Sequence, residues 1–357
     1  MSRFTHLLTP GRLGALDVPN RVVMAPMTRC RAHPDGAVPL LYATHFAQRA
    51  SAGLLITDGT MVSQQGVGYP YTPGMWTDEH VEAWKPVTRE VHAGGGRIAL
   101  QLMHVGRVSL TSYQPGGAAP VSSSPKRAAN TMLYSPRWVA EDAAEPRALD
   151  LNEMAGVVSQ FGLAARRAKA AGFDAVEIHA ADGYLVDQFL RDGVNQRHDR
   201  YGGSPENRAR LLLEITEAVA KEIGADRTGI RLSPLNPFND MADRDPLTTF
   251  GAALTHLAAL RLAWTQLAGV GGTDLLLRLR DAYGAPFLLN GGFSADAADA
   301  AIKSELACAV SFGTFFIANP DLVERFASGA ELSAPDPATY YGGGEKGYTD
   351  YPALATV

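Results

Sequence analysis

Cysteine is nearly absent from this chain of 357 residues: Cys30 and Cys308 are the only two. Two thiols are too few for a disulfide framework or a thiolate metal site, which suits a reducing cytosol. Charge is also sparse and balanced. Only 19% of residues are charged, 32 basic against 37 acidic, for a net charge of -5. No basic stripe offers an electrostatic footprint for nucleic acid, and no histidine cluster with carboxylates has metal-ligand spacing. Long apolar runs are missing. Nothing approaches the roughly 18 apolar residues of a membrane span, and MSRFTHLLTPGRLG lacks the apolar core of a signal peptide. The expectation is a cytoplasmic, soluble protein acting on a small molecule, without nucleic-acid or membrane partners, as a monomer or weak homo-oligomer. Nor does a G-x-G-x-x-G follow an early strand, which removes the Rossmann phosphate fingerprint.

What is present is alternation. Short apolar runs bounded by turn formers predict strands over residues 21–25, 53–57, 97–101, 175–179, 229–232, 265–268, 286–290 and 308–312. Alanine-rich segments of helical period lie between them, at residues 40–51, 78–93, 151–171, 205–223, 247–260, 273–283, 295–304 and 320–327. Strands buried on both faces and joined by crossover helices make a parallel sheet, and eight such units close into a (β/α)8 TIM barrel, with an open doubly wound sheet as the alternative. A plain barrel needs about 250 residues. The surplus falls in a hairpin lid at residues 10–20, a Pro-, Ser- and Gly-rich insertion at 103–150 expected over the barrel mouth, and a C-terminal tail at 328–357, all within a single domain over 1–357.

Barrel chemistry gathers at the C-terminal strand ends. Those ends are polar here, with Pro26, Met27 and Thr28 after the first run, Asp58 and Gly59 after the second, and Gln101 in the third. The fourth ends in His179 and leads to Asp182 and Tyr184, and the fifth carries Arg231. Gly291, Gly292 and Gly313, after the seventh and eighth, either expose backbone N–H groups to a phosphate or simply permit tight turns. Gln101 and Arg231 could hold the polar edge of a planar heterocycle, although a strand-end Arg also serves as an ordinary salt-bridge partner.

The segment VEIHAADGYLVDQFLRDGVNQRHDRYGGSPENRARL at residues 176–211 resembles the signature of the Old Yellow Enzyme family of FMN-dependent ene-reductases. APMTR at 25–29, QLMHVGRVS at 101–109, GIRLSP at 229–234, FGTFFIANPDL at 312–322 and YGGGEKGYTDYP at 341–352 extend the likeness over nearly the whole chain. It is nearest to the bacterial branch of N-ethylmaleimide and pentaerythritol tetranitrate reductases. The resemblance implies non-covalent FMN, NADPH or NADH as reductant, and ping-pong reduction of activated alkenes, with nitro compounds or nitrate esters as further substrates. It implies that Pro26, Met27, Thr28 and Gly59 lie by the flavin ring, that Gln101 and Arg231 read its pyrimidine edge, and that Gly291, Gly292, Gly313 and Thr314 surround its phosphate. It further implies that His179 with residue 182 binds the substrate oxygen, that Tyr184 delivers a proton, and that Met103 and Tyr341 wall the pocket.

Four positions depart from that pattern. Asp182 stands where relatives carry Asn or His, and an ionised carboxylate accepts hydrogen bonds but donates none. It is expected either to be held neutral by burial or to pair with a protonated His179, and in either case to weaken or alter enone reduction. Thr314 replaces an Arg, Met103 a Trp and Asp58 a Glu. These departures leave two competing readings: a redox-neutral isomerase of the same fold, or a flavin-binding protein with degraded catalysis.

Overall fold

Eight apolar segments pair side by side in one parallel, closed sheet. We label them β1 (Val22–Met24), β2 (Leu54–Ile56), β3 (Ile98–Met103), β4 (Ala175–His179), β5 (Thr228–Leu232), β6 (Trp264–Ala268), β7 (Phe287–Asn290) and β8 (Ala307–Phe312). Pairing runs from each strand to the next, and β8 closes on β1 through Phe312 opposite Met24. The computed structural model describes residues 3–269 and 273–354. It is the expected TIM barrel, ringed by helices.

Helix starts follow local chemistry. Thr77, Ser204, Asp245 and Ser294 each accept a backbone N–H of the first turn, opening α-helices at Asp78, Pro205, Pro246 and Ala295. Pro205 and Pro246 occupy the first helical position, where a missing N–H costs nothing. The first helix stops at Ala47, short of the expected residue 51. There Arg49 N bonds to Phe46 O and Ala50 N to Ala47 O, a tighter turn that lets the Arg49 side chain reach the carbonyls of Phe316 and Ile317.

Period-2 alternation sorts the barrel strands into an outer and an inner face. Inside, Val23, Leu54, Ile56, Ala99, Ala175, Trp264, Leu288 and Ala309 pack the lower layer with Leu13, Leu16 and Val18. Those last three come from the N-terminal hairpin, Gly11–Leu13 with Leu16–Val18. The hairpin therefore plugs the barrel's lower end and is no lid over the mouth. Ala15 N donates to Asp226 O just before β5, and a side chain at Gly14, whose φ is 56°, would strike Ala263 just before β6. The long insertion does reach the mouth, after β3 has extended through Met103. Its antiparallel ribbon of Met132–Tyr134 and Ala140–Asp142 brings Met132, Tyr134 and Trp138 to the cavity there.

Candidate active site

Two residues beyond the apolar layer, the inner face turns polar. Gln101, Glu177, Arg231, Gln266, Asn290 and Ser311 come from β3 to β8, and strand register sets Glu177 opposite Gln101 and Arg231 opposite both His179 and Gln266. Gln101 Nε2 donates to Glu177 Oε1 at 2.9 Å, and Trp264 Nε1 to Glu177 Oε2 at 2.8 Å. Arg231 Nη1 donates to Gln266 Oε1 at 2.9 Å and Nη2 to Asn290 Oδ1 at 3.2 Å. Buried polar groups held in such a network keep one geometry, because leaving any of them unpaired costs about 1–3 kcal/mol. The floor is rigid.

Above it opens a cavity of about 580 Å³, within the usual range for a cofactor or small ligand. Pro26, Met27, Thr28, Gly59, Gln101, Met103, His179, Asp182, Tyr184, Arg231, Gly313, Thr314 and Tyr341 all line it, so six strand ends and the tail converge on one cavity. Gly291 and Gly292 stand on the exposed rim just after the lining residue Asn290, outside the wall itself.

Tyr69, Met132, Tyr134, Trp138, Phe238, Ile317 and Tyr340, which the sequence did not single out, also line the cavity, as does Asn290 at the end of β7. One signal for Tyr69 was available: it sits in GVGYPYTPG at residues 66–74, a turn-rich run too aromatic for a plain connection. The tail reaches the mouth because buried Arg29 and Arg31 clamp it. Arg29 Nε donates to Tyr340 O at 2.8 Å, and Arg31 Nη2 to Thr339 O at 2.9 Å and Lys346 O at 3.0 Å. Buried Tyr348 stacks on His45 at 3.8 Å.

His179 and Tyr184 meet on the opposite wall, ring centroids 4.9 Å apart and planes at 79°. The Tyr184 hydroxyl lies 3.0 Å from that of Tyr69. Burial raises the Tyr184 pKa well above its ordinary value, so the phenol stays protonated. Burial also lowers His179, to about 4, with Asp182 pulling the other way and Arg231 adding to the drop. The imidazole is neutral at pH 7. Burial pushes the Asp182 carboxyl up, but Arg231, His179 and Asn236 outweigh it, and its pKa ends below the usual value. Both expectations for Asp182 are thus corrected: the carboxylate is ionised, and its counter-charge is Arg231, with Nε 3.4 Å from Oδ2, rather than a protonated His179.

Cys30 is buried in the wall, and burial beside Asp58 pushes its thiol to about 12, which leaves it unreactive. Asp58 is structural: its Oδ2 accepts from Arg29 N at 3.0 Å and from the Tyr42 hydroxyl at 3.3 Å. His104 is structural too, buried with Nδ1 accepting from Gly106 N at 3.1 Å.

A flavin mononucleotide suits this donor set. Gln101 and Arg231 offer N–H groups at the floor beside an apolar wall of Ala25, Pro26, Met27 and Ile317. His179 Nδ1 is buried without a partner. At the far side, Gly313 and Thr314 leave room for a phosphate, and the position a Cβ would take on Gly292 is open.

Fold and cavity together define a TIM barrel with a polar-floored cofactor-sized slot at its strand ends. The model of the NADH:flavin oxidoreductase / NADH oxidase family matches residues 6–333. Among relatives, 12-oxophytodienoate reductase 2 of Arabidopsis thaliana is 42% identical, with 98% of this chain and 96% of that protein covered. A putative 12-oxophytodienoate reductase 11 of Oryza sativa subsp. japonica is 43% identical over 99% of each. Among solved structures, morphinone reductase in complex with tetrahydroNAD superposes with a TM-score of 0.94 at 45% identity, covering 98% of this chain and 97% of that one. The old yellow enzyme homologue from Zymomonas mobilis gives 0.93 at 42%, covering 98% and 99%. The chain belongs to this family, the Old Yellow Enzymes, and is an FMN-dependent, nicotinamide-linked ene-reductase. Among the described residues no helix is long and apolar enough to cross a membrane.

Proposed function

We propose that this enzyme reduces the activated C=C bond of α,β-unsaturated carbonyl compounds in a ping-pong cycle, with NADPH or NADH and the alkene entering the one cavity in turn. The facing His179–Tyr184 pair above the Gln101–Arg231 floor is the observation that carries the reading. Bound FMN would supply the hydride chemistry, carrying two electrons from the nicotinamide to the substrate's β-carbon.

Thr28, Gln101 and Arg231 orient the ring, Gly313 with Gly292, Gly291 and Thr314 holds the phosphate end, and Pro26, Met27 and Gly59 pack beside it. His179 donates an N–H toward the substrate oxygen, where charge builds as the β-carbon gains electrons; a fixed donor there lowers the barrier without having to reorganise. Tyr184 gives its phenolic proton to the α-carbon, and Tyr69, hydrogen-bonded to it, supports the proton's return. Met103 and Tyr341 shape the mouth. Nitro compounds share the same electron-poor character and fall in the same class.

Anaerobic mixing with NADPH, and separately with NADH, tests this directly. Flavin absorbance should bleach and then recover on adding 2-cyclohexenone. A flavin that stays oxidised with both reductants would overturn the reading.

A further inference from the structure

Asp182 is fixed in the cavity wall from several sides. Its N–H donates to Ser233 Oγ at 2.7 Å, its carbonyl accepts from Asn239 Nδ2 at 2.8 Å, and Oδ1 accepts from Asn236 Nδ2 at 2.8 Å. Its backbone is left-handed, φ 57°, a conformation Asp tolerates better than most residues. These contacts aim Oδ2 along the wall, 3.4 Å from Arg231 Nε and 3.8 Å from His179 Nε2. The side chain keeps 18% of its surface exposed and lines the cavity. A carboxylate has about four lone-pair sites and no donor. Oδ2 therefore retains acceptor capacity toward the cavity.

Beside it stands the neutral ring of His179, which carries one N–H. The wall thus offers a donor and an acceptor next to each other, whereas a bare ketone oxygen is best served by two donors. The geometry points to α,β-unsaturated amides and imides that bear an N–H as the preferred substrates, their C=O accepting from His179 and their adjacent N–H donating to Asp182. This assignment rests on the ene-reductase reading of the same site. One hydride and one proton add across the C=C, the two electrons coming from the nicotinamide reductant and the proton through Tyr184. The amide bond is neither cleaved nor oxidised. A site that hydrogen-bonds a substrate N–H discriminates strongly against the analogue that lacks it, because a buried polar group is then left unpaired.

The test uses the full-length, FMN-loaded enzyme. Maleimide and N-methylmaleimide differ only at the nitrogen, and succinimide and N-methylsuccinimide repeat the contrast without a reducible bond. In the wild type, kcat/KM should favour maleimide at least tenfold, and calorimetric titration should show succinimide binding at least tenfold tighter than its N-methyl analogue. In Asp182→Asn, Asn236 Nδ2 holds the amide oxygen at the Oδ1 position. The amide nitrogen then takes the place of Oδ2, and both ratios should collapse toward one. Equal values for the N–H and N-methyl forms in the wild type would overturn the assignment. So would a preference of unchanged size in Asp182→Asn, since that assigns it to steric exclusion of the methyl group. Flavin reduction by NADPH and by NADH, followed separately in both proteins, isolates the underlying reading. If it fails with both, the ene-reductase cycle falls; if it proceeds while the imide ratios are flat, only the role of Asp182 does.

Discussion

Asp182 Oδ2 lies 3.4 Å from Arg231 Nε, so the guanidinium that lines the cavity is also the counter-charge of the pocket carboxylate. The pair has two effects on chemistry. It keeps Asp182 ionised at the spot where, in the proposed cycle, a substrate oxygen gains negative charge, and it spends one of the donors of Arg231 inside the wall.

Asp182→Asn should therefore improve reduction of a plain enone. Replacing an adverse acceptor by a donor next to the developing oxyanion is worth about 1.5–3 kcal/mol, a gain of roughly tenfold to a hundredfold in kcat/KM. Steady-state turnover of 2-cyclohexenone by the two proteins at matched FMN content measures it. Equal or lower activity in the variant counts against a repulsive role for the carboxylate.

The Tyr184 and Tyr69 hydroxyls lie 3.0 Å apart, and in the proposed cycle they act in sequence on one proton. Removing the Tyr184 hydroxyl in Tyr184→Phe should slow reoxidation of reduced enzyme by an enone by roughly a hundredfold or more, the usual share of a positioned general acid. Flavin reduction by NADPH, which needs no such proton, should be nearly unchanged. Tyr69→Phe leaves the acid in place and removes the hydroxyl 3.0 Å from it, so its effect should be several-fold and confined to the same half-reaction. Stopped-flow absorbance resolves the two halves, and equal slowing of both would remove Tyr184 from the proton path.

Thr314 opens the short helix Thr314–Ala318 directly after Gly313, exposed at the edge of the cavity. An arginine there would add a charge-assisted contact to a phosphate, worth about 1.5–3 kcal/mol before solvent screening reduces it. Thr314→Arg should accordingly bind FMN roughly tenfold tighter by equilibrium dialysis. An unchanged dissociation constant would mean that other donors already satisfy the phosphate.

How much of this was legible in the sequence follows from the range of the forces involved. Strands buried on both faces read as continuous apolar runs, and caps such as Thr77 and Ser204 mark helix starts from within a single turn, so the barrel could be derived residue by residue. The polar strand ends were visible for the same reason. What stayed hidden depends on contacts between distant segments. Tyr69 meets Tyr184 across 115 positions of chain, and Arg29 grips a tail more than three hundred residues away. Hairpin pairing over residues 11–18 was readable, but which end of the barrel it closes depends on Leu13, Leu16 and Val18 finding the lower apolar layer. The ionisation of Asp182 required the register that sets His179 opposite Arg231.

Asp58 links that tail to stability through pH. Burial raises its carboxyl from 3.8 to about 6, against the pull of the Arg29 N–H and guanidinium. A carboxyl whose folded pKa lies above its unfolded value binds its proton more tightly in the native state. Its contribution to stability is therefore fully present below about pH 4 and is lost as pH rises through about 6. At 1.36 kcal/mol per unit the loss amounts to about 3 kcal/mol at most. Asp58→Asn keeps an acceptor for Arg29 N and the Tyr42 hydroxyl but does not ionise. Relative to the wild type it should gain stability between pH 4 and pH 7, by about 1–3 kcal/mol in urea unfolding. A difference between the two proteins that is flat across that interval would show that the Asp58 carboxyl does not titrate there.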